Sequence, residues 1–408
     1  MIFLENLRIA LVALRANLLR SILTSVGIVV GTAAVIAVVS IVQGLEHMIT
    51  GELQRVGATF LIVMPEQPGH GNRDILTRPV KLTWDDGQAI ARQVRGIHRI
   101  TPVIFGNQVL KYLDRQHTPD MVFGVTEDWP EVNNHAVGSG RFISRIDRER
   151  RRKVAVIGAT VVEELRLGDT PIGKEIYVGS LPVQVIGVME ERGQVLGQDT
   201  DDLVFLPFAS ALQLYGRTAA DRVQLRLRAD NADIVQRVRD DIRQLLRQRH
   251  DLAEGQPDDF QVILQDEILS STTSILGGVT AVVGAVVGIA LLVGGIGIMN
   301  ILLVSVTERT REIGLRKSVG ARRRDILLQF LIEAVVLSLV GGLIGIATGY
   351  GIGAMVSNML PGDWPAAHVP LWAIALAFGF CAMVGIGFGI YPASRAARLD
   401  PIEALRHE

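Results

Sequence analysis

Four apolar runs, one near the beginning and three near the end, constrain this chain more than anything else in its sequence. Residues 22–42 contain no charged side chain. As a helix they cover about 31 Å, which matches a hydrocarbon core of ~30 Å. Residues 275–304 are also uncharged and longer than a bilayer requires, so that span tilts or projects beyond the lipid. Residues 334–355 form the third run, and residues 371–391, ended by Pro392, form the fourth. A cleaved signal peptide would have an apolar core of only about 7–15 residues. The first run is longer, and it follows an amphipathic stretch over 1–20 (Ile2, Phe3, Leu7, Ala10, Leu11, Leu14, Leu18, with Arg8, Arg15 and Arg20) suited to lying along the cytoplasmic membrane face. The first run therefore reads as an uncleaved anchor.

Charge placement orients the spans. The segment 305–325 carries Arg309, Arg311, Arg316, Lys317, Arg322, Arg323 and Arg324, whereas 357–370 has no Lys or Arg. By the positive-inside rule the first segment is cytoplasmic and the second external. Both termini are then cytoplasmic and residues 44–274 lie outside. The predicted architecture is an α-helical membrane protein with four transmembrane helices, one plus three, and a large mixed α/β extracytoplasmic domain inserted between helices 1 and 2. Its segments are 1–20, 21–43, 44–274, 275–304, 305–325, 326–356, 357–370, 371–391 and 392–408. Composition agrees: 49% hydrophobic and 20% charged residues with a mean hydropathy of +0.33 suit a chain part lipid-facing and part water-facing. A net charge of −1 gives no reason to expect nucleic acid as a partner. Cys381, the single cysteine, excludes a disulfide framework within one chain.

In the inserted region, β-branched runs at 60–64, 154–157, 183–189 and 223–227 predict strands. Helices are predicted at 85–95, where Thr83 and Asp86 can form a capping box, and at 232–249. Residues 64–73 read as a loop, 127–152 have weak periodicity, and the basic run 148–153 reads as a solvated turn. Gly168 to Lys174 has the glycine and lysine spacing of a P-loop, but Glu175 stands where Ser or Thr would hold Mg²⁺ and a strand-like run follows, so it reads as a turn between strands. The eight histidines lack zinc-site spacing, and no nucleophile constellation is present. Asp85-Asp86, Asp201-Asp202 and Asp258-Asp259 read as caps and solvated turns.

The spans are rich in glycine four residues apart: Gly27 and Gly31, Gly284 and Gly288, Gly341, Gly345, Gly349 and Gly353, and Gly385 and Gly389. In lipid, close backbone approach supplies helix-packing energy, and small residues at this spacing permit it. The glycines serve packing within one chain, a dimer interface, or both. Asn300 and Glu333 interrupt the spans near their inner ends, where snorkelling or an interhelical hydrogen bond lowers their cost.

The run from Gly294 to Arg322, centred on Thr307-Glu308-Arg309-Thr310-Arg311-Glu312-Ile313-Gly314, resembles the signature of MacB/FtsX-type ABC transporter permeases. The end, Tyr391-Pro392-Ala393-Ser394 through Asp400-Pro401-Ile402-Glu403-Ala404-Leu405-Arg406, is similar to that family's closing motif, and Leu19 to Gly31 resembles its first span. With the one-plus-three layout the resemblance covers essentially the whole chain, closer to the efflux-type MacB branch. It implies a coupling helix between the second and third spans, here 308–320, docked on a cytoplasmic ATPase. Glu308, Arg309, Arg311, Glu312 and Lys317 would offer charges, Ile313 and Leu315 apolar contact, and Gly314 close backbone approach.

The resemblance further implies a permease without catalytic residues or a cofactor of its own, with ATP and Mg on the partner. MacB itself carries its ATPase ahead of the first span, so a separate ATPase subunit is expected here. The expected assembly is a homodimer of permeases in a bacterial inner membrane, with a periplasmic adaptor and a TolC-like outer-membrane duct. The long spans would act as a lever, exporting a drug, peptide or similar substrate taken from the periplasm. The alternatives are an FtsX-like regulator of cell-wall hydrolases, a lipoprotein-releasing permease, or a membrane-anchored enzyme.

Overall fold

The computed structural model describes residues 18–66, 81–195, 198–359 and 369–406. The predicted amphipathic helix over 1–20 lies outside these except for its last three residues, as does most of the 64–73 loop. Two compact units are present, with the divisions in sequence falling after His47 and Thr272.

The membrane unit is built on helices α1 (Leu18–Val56, as far as His47), α2 (Gln265–Glu308, from Thr273), α3 (Thr310–Ser318), α4 (Arg323–Met359), α5 (Leu371–Arg398) and α6 (Pro401–Arg406). Four of them, α1, α2, α4 and α5, are long and apolar enough to cross a membrane. Helices α1 and α2 have 39 and 44 residues, about 58 and 66 Å of continuous helix, twice what a ~30 Å core requires. The fourth span does not stop at Pro392, as the sequence suggested: α5 continues to Arg398 with Pro392 inside and buried. A proline removes one helix hydrogen bond, but Ala393, Ala396 and Ala397 beyond it are buried in a cluster with Ile313, Ile326 and Phe330, and that packing carries the helix on.

Glycine sets the helix separations. A Cβ at Gly27 would lie 2.7 Å from Gly294 Cα, so α1 meets α2 backbone to backbone. Gly31 of α1 sits under Leu291 of α2. On α4, a Cβ at Gly345 would be 2.7 Å from Thr32 Cβ and 2.9 Å from the Val29 carbonyl, and one at Gly349 would be 2.6 Å from the Ala33 carbonyl. Gly342 faces Cys381, Gly385 faces Ser338, and Gly295 faces Phe388, which closes α4 on α5 and α5 on α2. Thr32 Oγ1 lies 3.5 Å from Cys381 Sγ across α1 and α5. Gly341 and Gly353 are buried on α4. Gly284 and Gly288 differ: among the described residues nothing lies within 4 Å of a Cβ at either, so neither sits at a close helix contact there.

The inserted domain holds a mixed sheet of twelve strands among the described residues. From one edge the order is Phe260–Leu264, Phe60–Pro65, Gln224–Ala229, Ile97–Gly106, Met121–Val125, Leu203–Pro207, Val154–Ile157, Leu181–Met189, Glu175–Val178, Leu110–Tyr112 and Arg115–His117. Val137–Gly140 pairs with Leu181–Met189. The helix Val235–Arg249 buries Val235, Val238, Ile242 and Leu246, an i, i+3, i+7, i+11 stripe that forms one continuous face. These join Leu61, Ile90, Leu225 and Leu227 in the main core. A second core gathers Val103, Val125, Trp129, Val156 and Phe205. The region of weak periodicity over 127–152 folds into Trp129–Asn133, Val137–Gly140 and Arg145–Glu149, elements too short for a period to show. In its basic run, Arg148 pairs with Glu127 and Arg152 with Asp147.

Three sequence readings need adjustment. The segment from Gly168 to Lys174 is a turn, but it joins the helix Ala159–Glu164 to the strand Glu175–Val178 rather than two strands, and Lys174 Nζ donates to the Leu167 carbonyl. Asp201 and Asp202 are buried, not solvated: Asp201 accepts from the Arg192 and Gly193 amides, and Asp202 Oδ1 lies 2.7 Å from His117 Nε2. Asp86 is a cap as expected, accepting from the Thr83 amide and hydroxyl, but it is also buried at the centre of a charged cluster.

In that cluster Arg249 Nε donates to Asp86 Oδ1 at 2.8 Å, His250 Nδ1 lies 2.7 Å from Asp259 Oδ1, and His250 Nε2 lies 3.7 Å from Asp86. The hydrogen bond with Asp259, reinforced by Asp86, lifts His250 from 6.5 to about 9. Burial alone would raise the Asp86 carboxyl, but His250, Arg249 and Thr83 outweigh it and hold it well below the usual carboxylate range. A raised folded-state value means that His250 contributes its full stabilisation below pH 6.5 and loses it as pH rises through about 9. The domain should therefore lose roughly 2 kcal/mol between pH 7 and 10. In the His250→Gln variant that loss should be absent, as read by urea unfolding followed through tryptophan fluorescence.

Gly158 precedes the helix Ala159–Glu164, and a Cβ there would penetrate the Asp201 carbonyl oxygen. Gly158→Ala should destabilise the inserted domain by about 3 kcal/mol, the cost of overpacking against backbone that cannot step aside. The same unfolding measurement checks it.

Candidate functional site

Helix α2 ends at Glu308, Arg309 makes the break, and α3 begins at Thr310. The local sequence accounts for both ends of α3. Thr310 Oγ1 bonds back to the Val306 and Thr307 carbonyls, and Gly320, with φ of 109°, closes the helix in a left-handed conformation that glycine adopts without strain. Asp325 then caps α4 by accepting from the Arg322 amide at 3.0 Å.

One face of α3 is committed to its own chain. Ile313 is 2% exposed and packs with Val306, Ile326, Phe330 and the alanines of α5. Gly314 faces α6: a Cβ there would be 2.7 Å from Ala404 Cβ. Lys317 Nζ donates to the Ala397 and Leu399 carbonyls at 2.7 and 2.6 Å. Ala397 is in the last turn of α5 and Leu399 is its C-cap, where carbonyls lack partners within the helix and a cation opposes the dipole. Burial, with the nearby Arg323 charge, lowers the Lys317 ammonium. Arg309 reaches Glu333 at 3.4 Å, and Arg316 bridges Glu312 and Gln329 at 2.5 and 2.6 Å. Of the residues expected to serve a partner, Ile313, Gly314 and Lys317 are thus used to seat α3 on α5 and α6.

The other face is open. Arg311 and Glu312 are exposed, as is Glu308 at the end of α2. Leu315 is 58% and Val319 84% exposed, and on α6 Ile402 and Leu405 are 72% and 45% exposed. The two helices therefore present apolar side chains beside Arg311, Arg322, Arg323 and Arg324, all exposed. Isolated exposed leucines are ordinary, but four large apolar residues on two touching helices rimmed by charge suit a protein contact. The sequence reading did not anticipate α6. Its signal was present in Asp400-Pro401-Ile402-Glu403, a cap residue, a proline at the first helical position and an acid two residues later. Asp400 Oδ1 indeed accepts from the Ile402 amide at 2.8 Å.

Among the described residues there is no group of His, Cys, Asp and Glu able to hold a metal ion.

Residues 21–245 match the family model for the MacB-like periplasmic core domain, and residues 284–401 match that for the FtsX-like permease C-terminal region. The Macrolide export ATP-binding/permease protein MacB of Bdellovibrio bacteriovorus is 39% identical over 409 residues, covering 99% of this chain and 62% of that protein. The MacB protein of an Azoarcus species is 39% identical over 411 residues, covering 99% and 60%. An uncharacterized ABC transporter permease of Bacillus subtilis, YknZ, is 36% identical over 409 residues and covered over its full length. The chain thus spans about three-fifths of the MacB relatives' own length and the whole of YknZ.

Proposed function

The chain belongs to the MacB/FtsX-like family of ABC transporter permeases, and we propose that it is a non-catalytic permease subunit driven by a separate ABC ATPase that docks on the open face of α3. The observation that carries this reading is the division of α3 into two faces. Ile313, Gly314 and Lys317 fix it to the ends of α5 and α6, while Arg311, Leu315 and Val319 are left outward. A helix anchored this firmly transmits a push on its outer face to α2 and α4 instead of yielding locally. ATP and Mg²⁺ belong to the partner, and this chain contributes no cofactor site.

The Lys and Arg concentrated over 305–325 support a cytoplasmic α3 at an inner membrane, with both termini on that side and the inserted domain in the periplasm. ATP-driven closure of paired ATPases would move α3, and the long continuous helices α1 and α2 would carry that motion to the periplasmic domain. Two permease copies complete the assembly, and the open glycines Gly284 and Gly288 suit a contact between them. The substrate, a drug, peptide or similar compound, is then expelled through a periplasmic adaptor and an outer-membrane duct. The test is ATP hydrolysis by the partner ATPase in proteoliposomes. The wild-type permease should form a stable complex with the ATPase and change its turnover; no complex would refute the reading.

A further inference from the structure

Away from α3, the inserted domain holds a cavity of about 390 Å³ that the permease reading does not use. Its walls include Met121, Phe123, Trp129, Leu203, Arg192 and Arg226. Arg226 is unusual. Its guanidinium lies over the Trp129 ring at 4.8 Å, and Nη1 donates to Asn133 Oδ1 at 2.9 Å. Among the described residues no carboxylate pairs with it, and its buried Nε has no acceptor. Burial lowers it to about 10, with no neighbouring charge acting against that. A second cation converges on the same point, since Arg192 Nη2 donates to the Asn133 and Asn134 carbonyls.

Two of the three acidic groups lining the cavity are committed elsewhere. Asp202 accepts from the Asp120 amide and pairs with His117, and Asp199 accepts from Thr160 Oγ1 and the Asp201 amide. Asp120 is exposed to solvent. The cation is therefore the underused group, held rigidly against an aromatic wall. Trp129 packs on Phe123 and Phe205 with centroids 5.4 and 5.0 Å away, so the fork has little freedom to lose on binding. Guanidinium is also the side chain best shaped to engage a carboxylate through two parallel hydrogen bonds. Beside it, Met121, Phe123 and Leu203 offer apolar surface, the common lining of small-molecule sites.

We propose that this cavity binds a small amphipathic organic carboxylate, its anionic head on Arg226 and its apolar body against Phe123, Met121 and Leu203. The site is independent of ATPase docking, and either reading can fail without the other.

The experiment titrates the full chain in lipid nanodiscs with 2-naphthylacetate and, separately, its neutral amide, by calorimetry against empty nanodiscs. The acid should bind the wild type at least about 10-fold more tightly than the amide, as a charge-assisted pair would give. Arg226→Gln should remove that preference, and Arg226→Lys, which keeps the charge but not the fork, should restore only part of it. Met121→Trp fills the cavity from its rim without touching the guanidinium and should weaken both ligands, which keeps the test decisive should the arginine variants fold poorly. Equal affinity of acid and amide, no saturable binding of the acid at millimolar concentration, or undiminished binding in Met121→Trp would overturn the proposal.

Discussion

Gly345→Leu is expected to prevent α1 and α4 from closing, with loss of most folded membrane unit. A Cβ at this position already comes 2.9 Å from the Val29 carbonyl and 2.7 Å from Thr32 Cβ, and the remaining leucine atoms have nowhere to go but between the helices. Overpacking a core costs about 1–3 kcal/mol when side chains can move. Here the obstruction is backbone, and in lipid no hydrophobic force compensates for the separation, because contact itself provides the association energy. Gly349→Leu should behave alike, being 2.6 Å from the Ala33 carbonyl. Gly284→Leu and Gly288→Leu are the contrasting cases, with open space around both. They should leave the bundle's thermal stability in detergent unchanged while reducing the dimer fraction seen by light scattering. A large stability loss at Gly284 equal to that at Gly345 would contradict this account of the packing.

The second large effect is expected at the open face of α3. Arg311→Glu combined with Leu315→Glu reverses one exposed charge and places another where an exposed leucine would be covered by a partner. Few residues carry most of an interface's energy, and losing two central ones costs about 2 kcal/mol or more. ATPase affinity should fall at least about 30-fold, with the permease's own melting unchanged because both side chains are solvent-facing in the free chain. Lys317→Met should act differently. It removes the cation from the end of α5, leaving the Ala397 and Leu399 carbonyls without their donor, so it should lower the permease's own melting temperature. This separates residues that hold α3 in place from residues that meet a partner.

The four spans were legible because lipid leaves little choice: an uncharged run of this length is hydrophobic all round, and a helix is how it satisfies its backbone. The strand Val154–Ile157 and the Thr83–Asp86 cap were legible because each signal is local, carried by consecutive β-branched residues or by two side chains three positions apart. What escaped was long-range. Asp202 finds His117 from 85 positions away, and Asp86 meets Arg249 across 163, so neither aspartate looked buried. Arg226 falls in the run 223–227, whose sequence signals only a strand, whereas its environment comes from Trp129 and Asn133 on a distant segment. The segment 308–320 was legible as a charged helix but not in its orientation. Which of Ile313, Gly314 and Lys317 turns inward depends on α5 continuing through Pro392 and on α6 folding beneath, and a proline at 392 read in sequence as an end.

Contact between the outer face of α3 and an ATPase can be tested at a single labelled position. Val319 is 84% exposed and Cys381, the chain's own thiol, is 1% exposed, so Val319→Cys can be modified selectively with a benzophenone maleimide. The labelled permease, co-purified with the separate ATPase in a bilayer and irradiated, should yield one crosslinked product containing both chains, and Leu315→Glu in the same background should abolish it. Crosslinking to lipid alone, or an ATPase crosslink that persists undiminished with Leu315→Glu, would show that the partner does not sit on this face.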